Sequence, residues 1–283
     1  MTGTLTPAFT ELRARERVAA VLDAGTFREI LDPFAGLESP HLAPQGIVPQ
    51  SDDGAVVGRG TIDGVSAVVV ALDGGFQGGG IGEVSGAKLA ASLERAIDDN
   101  RRGIPTRAVI LLETGGIRLQ EANLGLLAIA DIHAAIVELR SYGPVVGVVA
   151  GTVGCFGGMA IAAGLTRHLI VTRGGRVGLN GPEVIETEAG VAELDSSDRS
   201  LIWSMIGGEQ RQAVRQAEIL VADAVDELAA AVHGVFAAAS DGTPQPVARA
   251  ARIDEAERVL AAIDPTTRPT PADVRALTTG GSL

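Results

Sequence analysis

The sequence predicts an α/β fold on a largely parallel sheet, and three observations carry that prediction. A strand–turn–strand signal spans Ala55 to Leu72; short aliphatic runs alternate with helix-like segments from Val84 to Thr172; and glycine pairs sit where run and helix meet. Alternation of this kind implies parallel strands joined by crossover helices. A chain of 283 residues that is 46% hydrophobic can bury one substantial core. With 3% aromatic residues and 37 glycines, that core has to be built from small aliphatic side chains and closely approaching backbones.

From the start of the chain, Glu11–Leu31 has helical spacing, with Leu12, Val18, Val21 and Leu22 set among Arg and Glu, and Gly25 is a place where it can end early. Asp32–Asp53 contains Pro33, Pro40, Pro44 and Pro49 without periodicity and is expected to be an extended connection, with a boundary near Gly54. Ala55–Ile62 and Val65–Leu72 flank Asp63-Gly64, a dipeptide suited to the positive φ angles of a two-residue hairpin. There follow a helix (Val84–Asn100), a strand (Arg107–Leu112), a helix (Glu121–Ser141), a strand (Val145–Ala150), a helix (Gly158–Leu165) and a strand (His168–Thr172). From Pro182 onward the composition is helical, including Ser197–Met205, Gln210–Gln216, Asp223–Ala239 and Asp254–Ile263. The Thr- and Pro-rich tail from Pro265 to Leu283 is expected to hang loose or to pack on a partner. The expected division is 1–53 for the N-terminal helix and connection, 54–240 for the main domain, and 241–283 for a C-terminal helix and tail.

Composition narrows the function classes. A net charge of −12, with Lys88 the single lysine among 23 basic residues, disfavours non-specific nucleic-acid binding. One cysteine, Cys155, excludes an internal disulfide framework or a multi-cysteine zinc site, and it is expected to pack as a small buried residue. No signal-peptide pattern and no membrane-length apolar run is present, so a cytoplasmic protein without membrane contact is the expectation. His41, His133, His168 and His233 lie outside any spelled hydrolase or metalloprotease motif, and Tyr142 marks a helix end.

The chemistry concentrates at the glycine pairs Gly115-Gly116 and Gly157-Gly158. Each follows a strand and opens a helix-like segment, so peptide N–H groups freed there face the carboxyl edge of the sheet, where ligands of open α/β folds bind. Two such turns could present donors to one thioester oxygen and stabilise an enolate. Helix–sheet packing and positive φ are the other use of such glycines. A third stretch, GGFQGGGIGEVSGAK, spells neither G-x-G-x-x-G nor a phosphate loop ending G-K-[ST]; its backbone either approaches a pantetheine arm or pyrophosphate, or is structural. Arg118 either meets a carboxylate or phosphate or pairs with Glu121 one helical turn on. Arg101-Arg102, Arg173 and Arg176 are either complementary surface for an acidic partner or a solvated face.

In their order from Gly74 to Glu186, the segments GGGIGEVSGAK, ETGGIRLQEA, GPVVGVV, GCFGGMAIAAG and GLNGPEVIE resemble the carboxyltransferase branch of the crotonase superfamily, and Arg15–Ile30 resembles its N-terminal helix. The resemblance implies a crotonase-like (ClpP/crotonase) spiral of ββα units with a mixed, mostly parallel sheet and a helical C-terminal region. Within that branch the chain is most similar to the β subunits of biotin-independent malonate decarboxylases. That similarity implies decarboxylation of malonyl thioester to acetyl thioester, at an interface with a γ subunit of similar fold. The acyl group would arrive on an acyl carrier protein, on its phosphoribosyl-dephospho-coenzyme A arm, with no cofactor or metal bound directly. It further implies a catalytic oxyanion hole from Gly115, Gly116, Gly157 and Gly158, and substrate contacts from Gly79, Gly80, Arg118, Phe156, Asn180 and Glu183. An apolar pocket near Val153, Phe156 and Met159 would assist loss of CO2.

Two departures separate this chain from the β subunits of bacterial acetyl-CoA carboxylase, which carry a four-cysteine zinc ribbon and tend to read G-P-R-V-I-E where this chain has Gly181-Pro182-Glu183-Val184-Ile185-Glu186. Either Glu183 or Asn180 is left to face the acyl group. The competing expectations are a carboxyltransferase subunit of a biotin-dependent acyl-CoA carboxylase and a non-catalytic assembly subunit.

Overall fold

In the computed structural model, residues 7–240, 249–264 and 266–280 are described. The first eight residues of the expected C-terminal segment, 241–248, and parts of its tail, Pro265 and 281–283, lie outside them.

The chain runs α1 (Ala14–Val21), β1 (Arg28–Ile30), β2 (Ala55–Ile62), β3 (Val65–Leu72), α2 (Glu83–Arg101), β4 (Thr106–Leu111), α3 (Leu124–Leu139), β5 (Val145–Val149), α4 (Gly158–Leu165) and β6 (His168–Thr172). It continues through α5 (Pro182–Ala189), α6 (Arg199–Ile206), α7 (Gly208–Ala213), β7 (Ile219–Val221), α8 (Val225–Ser240), α9 (Arg249–Ala262) and α10 (Pro271–Thr278). One sheet takes the strands in chain order from β1 to β7. Its first two pairings are antiparallel and the rest parallel.

Both faces of this sheet are covered, which is why its central strands are almost continuously aliphatic. Val57, Val68, Val70 and Ile110 point into a core shared with α2, α3 and α4, including Leu89, Leu93, Ile132 and Met159. Their neighbours Val56, Val69, Val109, Val146 and Ile170 point the other way, against Val18 and Val21 of α1 and Leu228, Val232 and Phe236 of α8. Glycine is needed where α1 lies closest: a Cβ on Gly58 of β2 would stand 2.4 Å from Val18 Cγ1.

The Asp63-Gly64 hairpin has the register expected for it, Ile62 opposite Val65. The helix expected over Glu11–Leu31 is shorter. α1 stops at Val21, Gly25 turns at φ +76°, and Arg28–Ile30 pairs with the free edge of β2. Asp23 is drawn out of helical geometry by the hairpin tip, where its carboxylate accepts from Thr61 Oγ1 at 2.6 Å and from the amides of Asp63 and Gly64 at 3.0 and 2.9 Å. Two further elements escaped the sequence reading: β7, whose three residues are too few for periodicity, and α10, which sits inside the tail expected to be loose. Thr270 and Asp273 cap α10 reciprocally, and Leu277 is buried. No helix among the described residues is long and apolar enough to cross a membrane.

Candidate active site at the carboxyl edge of the sheet

Above the carboxyl ends of β3 to β6 the connecting loops zip together through isolated bridges: Ile81 with Ile117, Thr114 with Cys155, Cys155 with Val177, and Arg176 with Gly207. Each loop thus hands its backbone to the next. Ile81 N–H donates to Gly116 O at 2.9 Å, Thr114 N–H to Gly154 O at 2.7 Å, and Phe156 N–H to Thr114 O at 2.9 Å.

This ladder brings the two glycine pairs together. A Cβ on Gly157 would lie 3.2 Å from Gly116 Cα, and one on Gly116 would lie 3.7 Å from Gly157 Cα. Gly116 has φ +118° and Gly157 φ +62° with ψ −145°, both in territory that side chains avoid. Three of the four pair amides are nevertheless spent inside the chain. Gly115 N–H donates to Gly78 O at 2.8 Å, Gly116 N–H to Thr114 Oγ1 at 3.0 Å, and Gly157 N–H to Leu179 O at 2.8 Å. Among the described residues, the amides of Gly158 and Met159 at the start of α4, and that of Ile117 beside the first pair, have no acceptor. Helix starts leave such donors open and add a favourable dipole for negative charge. His133, on α3, holds the Gly158 carbonyl through Nε2 at 2.8 Å.

The third glycine stretch supports the first pair from behind. Gly79 is buried at φ +66°, and a Cβ there would fall 1.9 Å from Glu113 O. Three amides at the start of α2 are taken up within the chain: Glu83 N–H donates to Glu121 Oε2 at 2.7 Å, Ser85 N–H to Asp53 Oδ2 at 2.7 Å, and Gly82 N–H to Ser85 Oγ at 2.9 Å. Those three donors are therefore not available to a pyrophosphate.

Arg118 joins the same cluster. Its guanidinium is 1% exposed and donates to Asp53 Oδ1 at 2.8 Å, Glu121 Oε1 at 2.6 Å and Gly80 O at 3.0 Å. The pairing with Glu121 weighed in the sequence is present, and the side chain reaches the loops by holding Gly80. Burial works against the Glu121 carboxylate, but hydrogen bonds from Glu83 N–H, Arg118 and Ser39 outweigh it and hold the carboxyl below its usual range. Its stabilising contribution is therefore complete above the unfolded carboxyl value, about 4.3, and is lost as the pH falls through the depressed folded value. Glu121→Gln is expected to lower the urea midpoint near neutrality, with the gap to wild type narrowing below about pH 4; a constant gap across the range would contradict this.

Of the other expected site residues, Phe156 is 5% exposed and lies under Arg176, while Asn180 and Glu183 are exposed beside Gly181. Met159 is fully buried in the core, so of the three residues expected to wall an apolar pocket, Val153 alone is partly open. Cys155 is completely buried, and burial pushes its thiol upward. Arg101 pairs with Asp98 and Glu138, and Arg173 with Glu209, all at the surface. Arg176 is no part of a solvated face, because it is half-buried against Phe156 and Trp203.

The sequence reading also passed over Glu113, a buried carboxylate just past the end of β4 that is ion-paired with Arg17 of α1. A carboxylate closing an aliphatic strand run is a signal that could have marked it. Asp53 carried no such signal, since its partner is 65 residues away. Asp23, Asp63 and His233 come close enough to hold a cation at the hairpin tip, but their oxygens are engaged by Thr61, Gly64, Arg107 and His233.

Two cavities of the fold lie away from the glycine pairs. The larger, a groove of about 1090 Å³, runs between α4, α7, α9 and α10. Exposed aliphatic side chains stand on the segments next to the pairs in the chain: Leu119, Leu126 and Leu127 after the first, Ile161 on α4 after the second, and Leu179 and Val184 on the segment whose Leu179 carbonyl receives Gly157 N–H.

A family model described as carboxyl transferase domain matches residues 10–281. A malonyl-S-ACP:biotin-protein carboxyltransferase of Malonomonas rubra is 41% identical over 228 residues, 77% of this chain and 72% of that protein. Among solved structures, a chain of a Pseudomonas malonate decarboxylase hetero-tetramer in complex with malonate is 58% identical, with a TM-score of 0.91, covering 96% of this chain and 98% of that one. A transcarboxylase 12S chain, solved with methylmalonyl-coenzyme A and methylmalonic acid bound, is 26% identical with a TM-score of 0.65, covering 79% of this chain and 40% of that one. The expected crotonase-like carboxyltransferase fold is therefore the fold observed.

Proposed function

The chain belongs to the carboxyl transferase domain family, and from that premise we propose that it is the β-type subunit of a malonate decarboxylase, acting on a malonyl thioester. The observation that carries the reading is the close approach of Gly116 to Gly157, beside which the amides of Ile117 and Gly158 have no acceptor among the described residues.

Such a pair suits the chemistry. When the bond between the α-carbon and the carboxylate breaks, CO2 departs and the electron pair is delocalised onto the thioester oxygen as an enolate. Fixed donors aimed at that oxygen lower the barrier because they need no reorganisation as charge develops. Gly158 N–H would supply one donor and Ile117 N–H the other, in place of the three glycine amides that are bonded internally. The α-carbon then takes a proton to give the acetyl thioester. Malonyl would be carried on the phosphoribosyl-dephospho-coenzyme A arm of an acyl carrier protein, which brings its own reactive thioester. The exposed aliphatic side chains on the segments next to the glycine pairs fit a half-site closed by a γ subunit of similar fold.

Purified complex of this chain with its partner subunit, given malonyl thioester labelled in the free carboxylate, is expected to release labelled CO2 without biotin. No release under those conditions would sink the proposal. A second reading, carboxyl transfer to a biotin carrier, draws on the activity for which the Malonomonas rubra relative is named. Appearance of label on added biotin carrier, with little CO2 in its absence, would favour it.

A further inference from the structure

We propose that Arg176 is a positioning residue that holds the second glycine loop, so that the Gly158 amide meets the developing charge, and that ties this loop to Trp203 on α6. The proposal rests on the enolate reading above.

Between β5 and α4 the loop makes no regular structure, so its direction depends on what its polar groups find. Arg176 supplies much of that. Its Nη2 donates to Thr152 O at 2.7 Å and to Val153 O at 3.0 Å. Its own carbonyl accepts from Cys155 N–H at 2.8 Å. The loop is pressed against it, since a Cβ on Gly154 would stand 2.8 Å from Arg176 O and 3.1 Å from Arg176 Cβ. The guanidinium carbon lies 5.7 Å from the Phe156 ring centroid and 4.7 Å from that of Trp203, within cation–π range of both.

His133 Nε2 holds the far end of the loop at the Gly158 carbonyl, at 2.8 Å, but between Gly151 and Gly157 the other side-chain ties are weak: Thr152 Oγ1 and Val153 N–H each approach Glu113 Oε1 at 3.4 Å. Arg176 therefore grips both the carbonyls and the aromatic ring that lead directly into Gly157 and Gly158. One guanidinium nitrogen, Nη2, serves both carbonyls while the planar group lies over two rings, and a compact lysine ammonium lacks the flat face for that stacking. Misplacement of a catalytic group by about 1 Å can cost on the order of 100-fold in rate, so a slack loop would show in turnover before it showed in folding.

In the complex with the partner subunit, Arg176→Met keeps the aliphatic stem and removes the fork. It is expected to lower kcat by about 10- to 100-fold with KM little changed, and to speed hydrogen exchange at the bonded loop amides of Cys155, Phe156 and Gly157 while β4 amides keep their protection. Arg176→Lys should recover part of both, and Trp203→Leu should loosen the same amides to a smaller degree. If the Met variant does not assemble, the Lys and Leu variants carry the test. Unchanged exchange at Cys155, Phe156 and Gly157, or unchanged kcat with a raised KM, would overturn the proposal. If the wild-type complex released no CO2, the enolate reading would fail, while the exchange measurement would still decide whether Arg176 holds the loop.

Discussion

Gly157→Ala is expected to reduce decarboxylation of malonyl thioester by about 100- to 1,000-fold, the usual cost of losing one oxyanion donor, in a complex that still assembles. Gly157 has φ +62° and ψ −145°, a conformation that costs a non-glycine residue roughly 1–3 kcal/mol. An alanine relieves that strain by rotating the backbone, and the ψ of residue 157 is what aims the Gly158 N–H. Its methyl group would also arrive 3.2 Å from Gly116 Cα, on the first wall of the same site. Gly234→Ala is the matched control. It lies on α8, across the sheet, with nothing within 4 Å of a new Cβ, and should leave turnover unchanged. Wild-type turnover in the Gly157→Ala complex would remove this loop from the chemistry and support a scaffold role for the chain.

Arg118→Met should be the most destabilising single change at the site, by about 3–5 kcal/mol in urea unfolding of the complex. It strands the Asp53 and Glu121 carboxylates, both wholly buried, without their shared cation. Replacing the charge cluster by apolar residues is often tolerated elsewhere, but here each carboxylate also accepts an amide from the first turn of α2. Removing them would strand those amides in turn. Arg118→Lys should rescue little, since one ammonium cannot span Asp53, Glu121 and the Gly80 carbonyl together. A loss below about 1 kcal/mol, the usual value for an exposed pair, would mean that water reaches the cluster.

Much of this architecture could be read from local pattern. The hairpin at Asp63-Gly64 and the parallel strands β4, β5 and β6 have their expected places because aliphatic runs and turn dipeptides act over a few residues. Where reading failed, a distant partner had intervened. The end of the predicted first helix became an edge strand because β2 offered a free ladder. The start of α3 slipped to Leu124 because Leu119–Glu121 forms a tight 3-10 turn that sends Glu121 back to α2. From the sequence Arg176 is either docking surface or a solvated charge, because its rings, at positions 156 and 203, lie far along the chain on either side.

The sequence by itself determined that two glycine turns would stand at the carboxyl edge of a parallel sheet, since strand periodicity and glycine's backbone freedom are properties of short segments. Only the tertiary structure decided which amides those turns leave open. Gly115, Gly116 and Gly157 lose theirs to Gly78 O, Thr114 Oγ1 and Leu179 O, and two of those acceptors come from other loops of the ladder. A donor's availability depends on whether an acceptor happens to face it, and that is settled by how the loops stack.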